Sequence, residues 1–193
     1  MGAVVNKAVF LDRDGVINAD TGYVHKPEDF RFSDGIFAFC RAAREAGYLL
    51  VVVTNQAGIA RGYYTEEDFR KLTDWMLARF SERGVEIAAV YACPCHPEHG
   101  TGAYKRDSFD RKPNPGMILK ARDAFDIDLS QSVLIGDKNS DIEAGRGAGV
   151  GRLFFLRGKY AFDPAGDVTA CESLNDITTV LQSSKILASD GSP

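Results

Sequence analysis

Short apolar segments alternate along this chain with longer segments in which apolar residues recur at helical spacing. The apolar segments predict five strands, at residues 8–11, 48–53, 87–92, 132–136 and 151–156. The first is an unbroken apolar run, as expected of a strand that is buried on both faces. A helical pattern lies between consecutive strands, and this order favours right-handed βαβ units. The sequence therefore predicts an α/β fold with a doubly wound parallel sheet, of the Rossmann type.

Local signals indicate where several helices begin and end. Ser33-Asp34 is a candidate N-cap, Thr65 begins a capping-box pattern, and Pro115 stands at a predicted first helical position. Gly47 and Gly84 are predicted to close the first two helices, because glycine adopts the left-handed conformation that ends a helix. Two further helices are predicted at residues 139–147 and 174–181.

The length of 193 residues fits one domain, which we place at residues 1–182. Two long loops, at 15–33 and 93–112, have about twenty residues each, too few for a separate cap domain. We therefore expect an open crevice that loops surround. Residues 183–193 contain Ser-Ser and Asp-Gly-Ser-Pro and are predicted to be a flexible tail.

The charge and the apolar runs exclude several classes of protein. With 23 basic and 27 acidic residues the formal net charge is −4, which argues against nucleic-acid binding through bulk electrostatics. The longest wholly apolar run, Tyr48–Val53, is far shorter than the roughly 20 residues of a membrane span, and no signal peptide is evident. Four cysteines are too few for a disulfide scaffold. We expect a cytoplasmic monomer that binds neither nucleic acid nor membrane.

Polar and charged residues stand where the predicted strands end. In open parallel sheets, ligands bind in the crevice outside the carboxyl ends of the strands. We therefore expect these residues to meet in one crevice, although they are far apart in the chain. They are Asp12-Arg13-Asp14-Gly15 after the first strand, Thr54-Asn55-Gln56 after the second, Gly136-Asp137-Lys138 after the fourth, and Arg111-Lys112-Pro113 just before a helix.

Three carboxylates, those of Asp12, Asp14 and Asp137, would face this crevice. Two unit charges about 4 Å apart repel by ~4 kcal/mol at an effective dielectric constant of 20, so the group needs protons or a cation. Hard oxygen ligands suit Mg²⁺, which also accepts substrate phosphate. Lys112 and the polar groups after the second strand would bind a phosphate dianion. This set predicts phosphoryl transfer through an aspartyl-phosphate.

The same segments resemble the four motifs of the haloacid dehalogenase (HAD) superfamily of phosphatases. The motifs fall at Asp12–Asn18, Thr54–Gln56, Arg111–Pro113, and Gly136–Lys138 with Asp141. Within that superfamily the chain is similar to the heptose bisphosphate phosphatases and the related histidinol phosphatases, over roughly residues 7–182. Residues 20–25 and 55–62 resemble two substrate loops of the heptose enzymes.

This resemblance implies a magnesium-dependent phosphatase that removes the C7 phosphate of D-glycero-D-manno-heptose 1,7-bisphosphate, for lipopolysaccharide biosynthesis. The nearest alternative is a histidinol-phosphate or other small-molecule phosphatase. A more distant one is a phosphorylated receiver module, whose acceptor Asp would follow the third strand, where this chain has Ala92-Cys93-Pro94. A non-catalytic binding protein on the same fold would be expected to lack Asp12 or Asp14.

The resemblance also implies roles for individual residues. Asp12 would attack phosphorus, and Asp14 would protonate the leaving oxygen and later activate water. Asp12, Asp137 and the backbone carbonyl of Asp14 would hold Mg²⁺. The residues implied in phosphate or substrate binding are Arg13, Asp20, Thr21, Gly22, Tyr23, Thr54, Asn55, Gln56, Ala57, Arg111, Lys112 and Lys138.

The loop at 93–112 departs from the family pattern. Relatives usually carry four zinc ligands there, and this chain has Cys93 and Cys95 at the first pair but Ser108 and Asp110 at the second. A structural zinc requires four ligands, mostly Cys and His, so we expect a loop without zinc. The alternative is an improvised zinc site whose ligands would come from Cys93, Cys95, His96, His99 and Asp110.

Overall fold

The computed structural model describes residues 5–163 and 166–189. In this part of the chain, six strands form one parallel sheet. The strands are β1 (Lys7–Leu11), β2 (Tyr48–Asn55), β3 (Ala89–Cys93), β4 (Val133–Gly136), β5 (Arg152–Leu156) and β6 (Val168–Cys171). The helices are α1 (Ile36–Glu45), α2 (Ala57–Ala60), α3 (Glu66–Ser81), α4 (Gly116–Phe125), α5 (Asn139–Ala148) and α6 (Leu174–Ser189).

The order of the strands across the sheet is β3-β2-β1-β4-β5-β6. From β1 the chain adds β2 and β3 on one side of that strand. After β3 it crosses over and adds β4, β5 and β6 on the other side of β1. Such a reversal creates a crevice at the carboxyl ends of the two central strands, which here are β1 and β4. The predicted fold class is confirmed.

The core lies on both faces of the sheet because consecutive residues of a strand point to opposite faces. On one face, Val9 of β1 belongs to a cluster that includes Phe39 of α1 and Met76 of α3. On the other face, Phe10 packs in a cluster with Ile118 of α4 and others from α5. Both strand residues are fully buried. This two-sided burial explains why the first strand is an unbroken apolar run.

The predicted starts of α3, α5 and α6 are correct, and those of α1 and α4 differ by a residue. The Thr65 hydroxyl accepts a hydrogen bond of 3.1 Å from the backbone of Asp68, and the Asp68 carboxylate accepts one of 2.9 Å from the backbone of Thr65. The N-cap of α1 is Gly35, with φ at 79°, rather than Ser33-Asp34. Pro115 is the N-cap of α4 instead of its first helical residue.

The carboxyl-terminal part differs more from the prediction. β6 was missed because it is a four-residue edge strand, Val168–Cys171, with only partial burial. The last helix continues to Ser189, beyond the predicted end at residue 181 and into the predicted flexible tail. Leu, Ile, Lys and Ala in that stretch favour helix. Residues 190–193 of the predicted tail lie outside the described residues. None of the helices in the described ranges is both long and apolar enough to cross a membrane.

Candidate active site

A crevice of about 640 Å³ opens at the carboxyl ends of the strands, and its volume lies within the usual range of ligand pockets. Segments that follow β1, β2, β3, β4 and β5 all contribute to its walls. Residues that follow these strands therefore meet around one crevice, as the strand-end rule predicts. The predicted residues that line it are Asp12, Asp14, Asp20, Gly22, Tyr23, Asn55, Gln56, Ala57, Arg111, Lys112 and Lys138, together with His96 of the alternative zinc site.

Lys112 is the buried cation at the base of the crevice. Its Nζ lies 2.8 Å from Asp12 Oδ1, 2.7 Å from Asp141 Oδ1 and 2.8 Å from the carbonyl oxygen of Val53. Burial would lower the pKa of Lys112, but the charges of Asp12 and Asp141 outweigh it and hold that pKa above its ordinary value. Lys112 is therefore charged and holds one carboxylate oxygen of Asp12, so that the other oxygen is the one available for reaction.

Asn55 ties the segment after β2 to the segment that carries Lys112. Its side-chain amide donates to the carbonyl of Lys112 at 2.9 Å, and its side-chain oxygen accepts from the Lys112 backbone at 3.0 Å. The two bonds join residues 57 positions apart in the chain. Asn55 thus positions the backbone of Lys112, besides lining the crevice.

Asp12, Asp137 and Asp141 each offer a carboxylate oxygen within 4.8 Å of the others. Burial and the charge of Asp12 raise the pKa of Asp137 to about 7, and Asp137 Oδ1 accepts no hydrogen bond although Lys138 is 3.4 Å away. A side chain at position 15 would overlap Asp137, and Gly15 has φ at 102°, so only glycine suits this turn. Hard oxygen ligands with an unused acceptor fit Mg²⁺.

Lys138 lies beside all three predicted magnesium ligands. Its Nζ is 3.8 Å from Asp12 Oδ2, 3.4 Å from Asp137 Oδ1 and 3.3 Å from the carbonyl oxygen of Asp14. Burial would lower the pKa of Lys138, but the charges of Asp12 and Asp137 outweigh it and raise that pKa. A charged ammonium group is thus held next to Oδ2 of Asp12.

Asp14 is held by three side chains while its own remains partly exposed, at 18%. Arg13 forms an ion pair with it at 2.8 Å, Gln56 donates at 3.2 Å and Asn18 donates at 3.0 Å. The Arg13 guanidinium also donates to the carbonyl of Val24 at 2.7 Å. These contacts fix the direction of the Asp14 carboxylate at the edge of the crevice.

Four of the residues predicted to bind magnesium, phosphate or substrate do not line the crevice. Arg13 is only 1% exposed and its guanidinium is turned toward Asp14, so the side chain is not placed for the predicted contact with substrate. Thr54 is buried and its hydroxyl accepts a hydrogen bond of 2.8 Å from Gln56. Thr21 is exposed outside the crevice, and Asp137 is buried beside Lys138.

Several residues that the sequence reasoning did not assign also line the crevice. Asp141 was predicted as part of a motif but not as a site residue. Lys159 and Tyr160 follow β5, so the strand-end rule could have found these two. Arg61 lay in a segment already compared with a substrate loop. Tyr64 and Ser140 carried no signal in the sequence. The lining residues that were not predicted as site residues are Arg61, Tyr64, Pro113, Ser140, Asp141, Lys159 and Tyr160.

The loop at 93–112 is held by hydrogen bonds and an ion pair. Asp110 pairs with Lys120, the Ser108 hydroxyl accepts a hydrogen bond of 3.3 Å from the backbone of Asp110, and Arg111 donates to the carbonyl of Cys95 at 3.1 Å. Burial raises the pKa of the Cys93 thiol. Among the described residues, the side chains whose ligand atoms lie close enough together to hold one metal ion are those of Asp12, Asp137 and Asp141. The alternative zinc site is not such a group in the described part of the chain; its candidate ligands are Cys93, Cys95, His96, His99 and Asp110.

Comparison with known proteins gives a consistent family assignment. A model of HAD-hydrolase-like proteins matches residues 109–177. A D-glycero-alpha-D-manno-heptose-1,7-bisphosphate 7-phosphatase from Burkholderia mallei is 62% identical over 151 residues, which are 78% of this chain and 80% of the relative. A D-glycero-beta-D-manno-heptose-1,7-bisphosphate 7-phosphatase from Vibrio cholerae is 50% identical over 173 residues, 90% of this chain and 93% of the relative.

A solved structure shares the fold and the family. The crystal structure of D,D-heptose 1,7-bisphosphate phosphatase from B. bronchiseptica, complexed with magnesium and phosphate, matches with a TM-score of 0.79 and 26% identity. The match covers 92% of this chain and 99% of that one. The similarity therefore extends over nearly the whole of both proteins.

Proposed function

Because the chain belongs to the heptose-1,7-bisphosphate 7-phosphatases of the HAD superfamily, we propose that it removes the C7 phosphate of D-glycero-D-manno-heptose 1,7-bisphosphate. The observation that carries this proposal is the joint placement of Asp12, Asp14 and the buried Lys112 in one crevice. Such an arrangement suits hydrolysis of a phosphate monoester through an aspartyl-phosphate. The product would serve the synthesis of lipopolysaccharide heptose.

We assign the first step to Asp12 and Asp14. Lys112 holds Asp12 Oδ1 at 2.8 Å, and Oδ2 attacks phosphorus, so that an oxygen–phosphorus bond forms while the bond to the C7 oxygen breaks. Asp14 gives its proton to the departing C7 oxygen. In the second step Asp14 takes a proton from water, the water oxygen bonds to phosphorus, and Asp12 is released as a carboxylate. Lys112 and Lys138 neutralise the transferring group throughout.

Asp12, Asp137 and the backbone carbonyl of Asp14 are the groups that would hold Mg²⁺. When bound, the ion neutralises charge on the phosphoryl group and on the attacking carboxylate. The residues fit this assignment because their oxygens are hard ligands and Asp137 Oδ1 has no hydrogen-bond donor.

Chelation of divalent cations is expected to stop turnover, and added Mg²⁺ to restore it. The reason is electrostatic, since clustered carboxylates repel a phosphate dianion until a cation neutralises them. Phosphate release is measured after EDTA treatment and again after dialysis into Mg²⁺. Full activity of a preparation shown by elemental analysis to be free of metal would contradict this assignment.

We propose that the C1 phosphate, which is not removed, is bound by Arg61, His96 and Arg111. All three residues line the crevice. Burial and the charge of Arg61 lower the pKa of Arg111, and burial with the charges of Arg111 and Arg61 lowers the pKa of His96. The Arg61 Nε is buried, and its N–H donates to no hydrogen-bond partner among the described residues. An anion placed among them would relieve this repulsion and use the free N–H.

Replacing Arg61 with methionine should therefore discriminate between substrates with one and two phosphates. We expect the KM for the bisphosphate to rise about tenfold more than the KM for heptose 7-phosphate, because a charge-assisted hydrogen bond is lost only with the former. Steady-state kinetics with both compounds measures this ratio, and Arg41→Met on the exposed side of α1 is the matched control. Equal changes for both substrates would refute the assignment.

The substrate proposal is tested by comparing kcat/KM for a panel of phosphate esters in Mg²⁺. Both anomers of the heptose bisphosphate are included, with histidinol phosphate, hexose phosphates and nucleotides. We expect one heptose bisphosphate anomer to exceed histidinol phosphate by at least 100-fold. A higher value for histidinol phosphate would establish the alternative activity instead.

We propose that the loop at 93–112 functions without a structural zinc, because Asp110 is paired with Lys120 and position 108 carries a serine instead of a thiolate ligand. After purification without chelator, the zinc content should be well below one ion per chain, because each missing thiolate removes a strong ligand. Activity in Mg²⁺ should not depend on the zinc content. Ser108→Cys combined with Asp110→Cys should raise zinc content toward one per chain. Elemental analysis of the wild type decides: one tightly held zinc would contradict the proposal.

We also propose that residues 1–182 form one domain and that the protein is a cytoplasmic monomer. The two core clusters pack on opposite faces of the same sheet, which supports one domain. The four cysteines are free, which suits a reducing compartment. Light scattering during size-exclusion chromatography tests the monomer, and a dimer mass at micromolar concentration would refute it.

A further inference from the structure

Tyr160 lies between β5 and β6 and lines the crevice, yet no role above involves it. Its hydroxyl donates a hydrogen bond of 2.8 Å to Asp20 Oδ2. Burial and this bond raise the pKa of Tyr160 to about 12, so the phenol keeps its proton and remains a donor. The connection after β5 is thereby joined to the loop after β1.

Asp20 is the acceptor of several contacts. Its Oδ1 accepts from the backbone of Gly22 at 3.0 Å, and its Oδ2 lies 3.4 Å from Lys138 Nζ. Lys159 is more distant, at 3.8 Å from Oδ1. Burial opposes ionisation, but the Tyr160 hydrogen bond and the charge of Lys138 outweigh it and keep the pKa of Asp20 below its ordinary value. Asp20 is therefore a carboxylate that Tyr160 holds against Lys138.

The ring of Tyr160 makes a second contact with the same ammonium group. Lys138 Nζ lies 4.7 Å from the ring centroid, within the distance of a cation–π interaction. On its other side this group faces Asp12 Oδ2 at 3.8 Å and Asp137 Oδ1 at 3.4 Å. A lysine side chain has four flexible carbons, so its ammonium position depends on what surrounds it.

We propose that Tyr160 is a positioning residue that holds the Lys138 ammonium group beside the reactive oxygen of Asp12. It does so through Asp20, by its hydroxyl, and directly, by its ring face. The inference rests on the proposed function for the role of Asp12, but not on which sugar is the substrate. The connection between β5 and β6, which carries Tyr160, would thereby contribute to phosphoryl transfer.

Two substitutions separate the two contacts by which Tyr160 acts on Lys138, namely the bond to Asp20 and the ring face. Tyr160→Phe keeps the ring and loses the bond to Asp20, and we expect kcat/KM for p-nitrophenyl phosphate to fall about threefold. Tyr160→Leu loses both contacts, and we expect a fall of about tenfold. A small aryl phosphate is used because it reports on the reacting end of the crevice. Equal activity of Tyr160→Leu and wild type would overturn the proposal.

The decisive test is a double-mutant cycle with Lys138→Met. If Tyr160 acts through Lys138, Tyr160→Leu should change kcat/KM less than twofold once Lys138 is replaced. The same tenfold loss in both backgrounds would overturn the proposal and indicate an independent effect on substrate or folding. The Kd of inorganic phosphate in Mg²⁺, measured by calorimetry for the same four proteins, gives the cycle without turnover. The coupling can therefore be measured even if Lys138→Met is nearly inactive.

Phe162 supplies a control for a purely structural effect in the same connection. Its half-buried ring stacks on Phe155 with centroids 4.4 Å apart and packs against the core rather than lining the crevice. Phe162→Leu should lower the Tm but leave activity within twofold and show no coupling to Lys138. If wild type hydrolyses the aryl phosphate but no heptose bisphosphate, the substrate proposal fails while the cycle still tests Tyr160.

Discussion

Replacing Asp12 with asparagine is expected to reduce turnover by ~10⁴-fold or more, the largest effect of any single substitution in the site. An amide is a poor nucleophile and a weaker ligand for a cation than a carboxylate. Lys112 and Lys138 both contact the Asp12 carboxylate, so the variant also loses the negative charge that orients them. Phosphate release is measured at saturating Mg²⁺ over hours to detect the residual rate.

The matched control is Asp123→Asn, which removes an exposed carboxylate from α4 and should leave activity within twofold. Asparagine has almost the same shape as aspartate, so the fold is expected to remain, and circular dichroism checks this. Turnover of Asp12→Asn within threefold of wild type would show that another group attacks phosphorus.

Replacing Asp14 with asparagine is expected to lower turnover of the sugar phosphate by 10²–10⁴-fold, the usual contribution of a placed acid or base. The asparagine cannot protonate the C7 oxygen, and it weakens the ion pair with Arg13. An aryl phosphate has a leaving group that needs little protonation. Phosphorylation of Asp12 by the aryl substrate should therefore be much less impaired than by the sugar phosphate.

Rapid-quench measurement of the first turnover separates the two steps, because Asp14 acts as an acid in the first and as a base in the second. The phosphorylated enzyme should accumulate with the aryl phosphate, since its hydrolysis still lacks a base. Equal impairment of the first step with both substrates would refute the role of Asp14 as general acid.

The sequence predicted the base of this site well because strand ends determine it. Asp12 and Asp137 follow buried strands directly and Thr54 lies near the end of β2, and the order of a parallel sheet brings those strand ends together regardless of loop details. The need for cations beside the carboxylates could also be predicted because like charges repel, although the clustered group found is Asp12, Asp137 and Asp141 rather than Asp12, Asp14 and Asp137. These inferences need only the pattern of apolar runs and the residue types that follow them.

The walls of the crevice could not be predicted in the same way. Whether Arg13 faces the substrate or Asp14 depends on the turn at Gly15 and on packing between the rings of Phe30 and Phe69, 6.0 and 5.8 Å away. The contact between Tyr160 and Asp20 joins residues 140 positions apart through two irregular connections. No local pattern encodes such a contact, because it depends on the path of both loops.

Phosphorus NMR of the reaction tests the central claim most directly. The two phosphates of D-glycero-D-manno-heptose 1,7-bisphosphate give separate signals, and the reaction is followed in Mg²⁺ with wild-type protein. The proposed function predicts that the C7 signal disappears as inorganic phosphate rises in equal amount, while the C1 signal persists as that of heptose 1-phosphate. Loss of the C1 signal first, or no change in either signal while histidinol phosphate is hydrolysed, would contradict it.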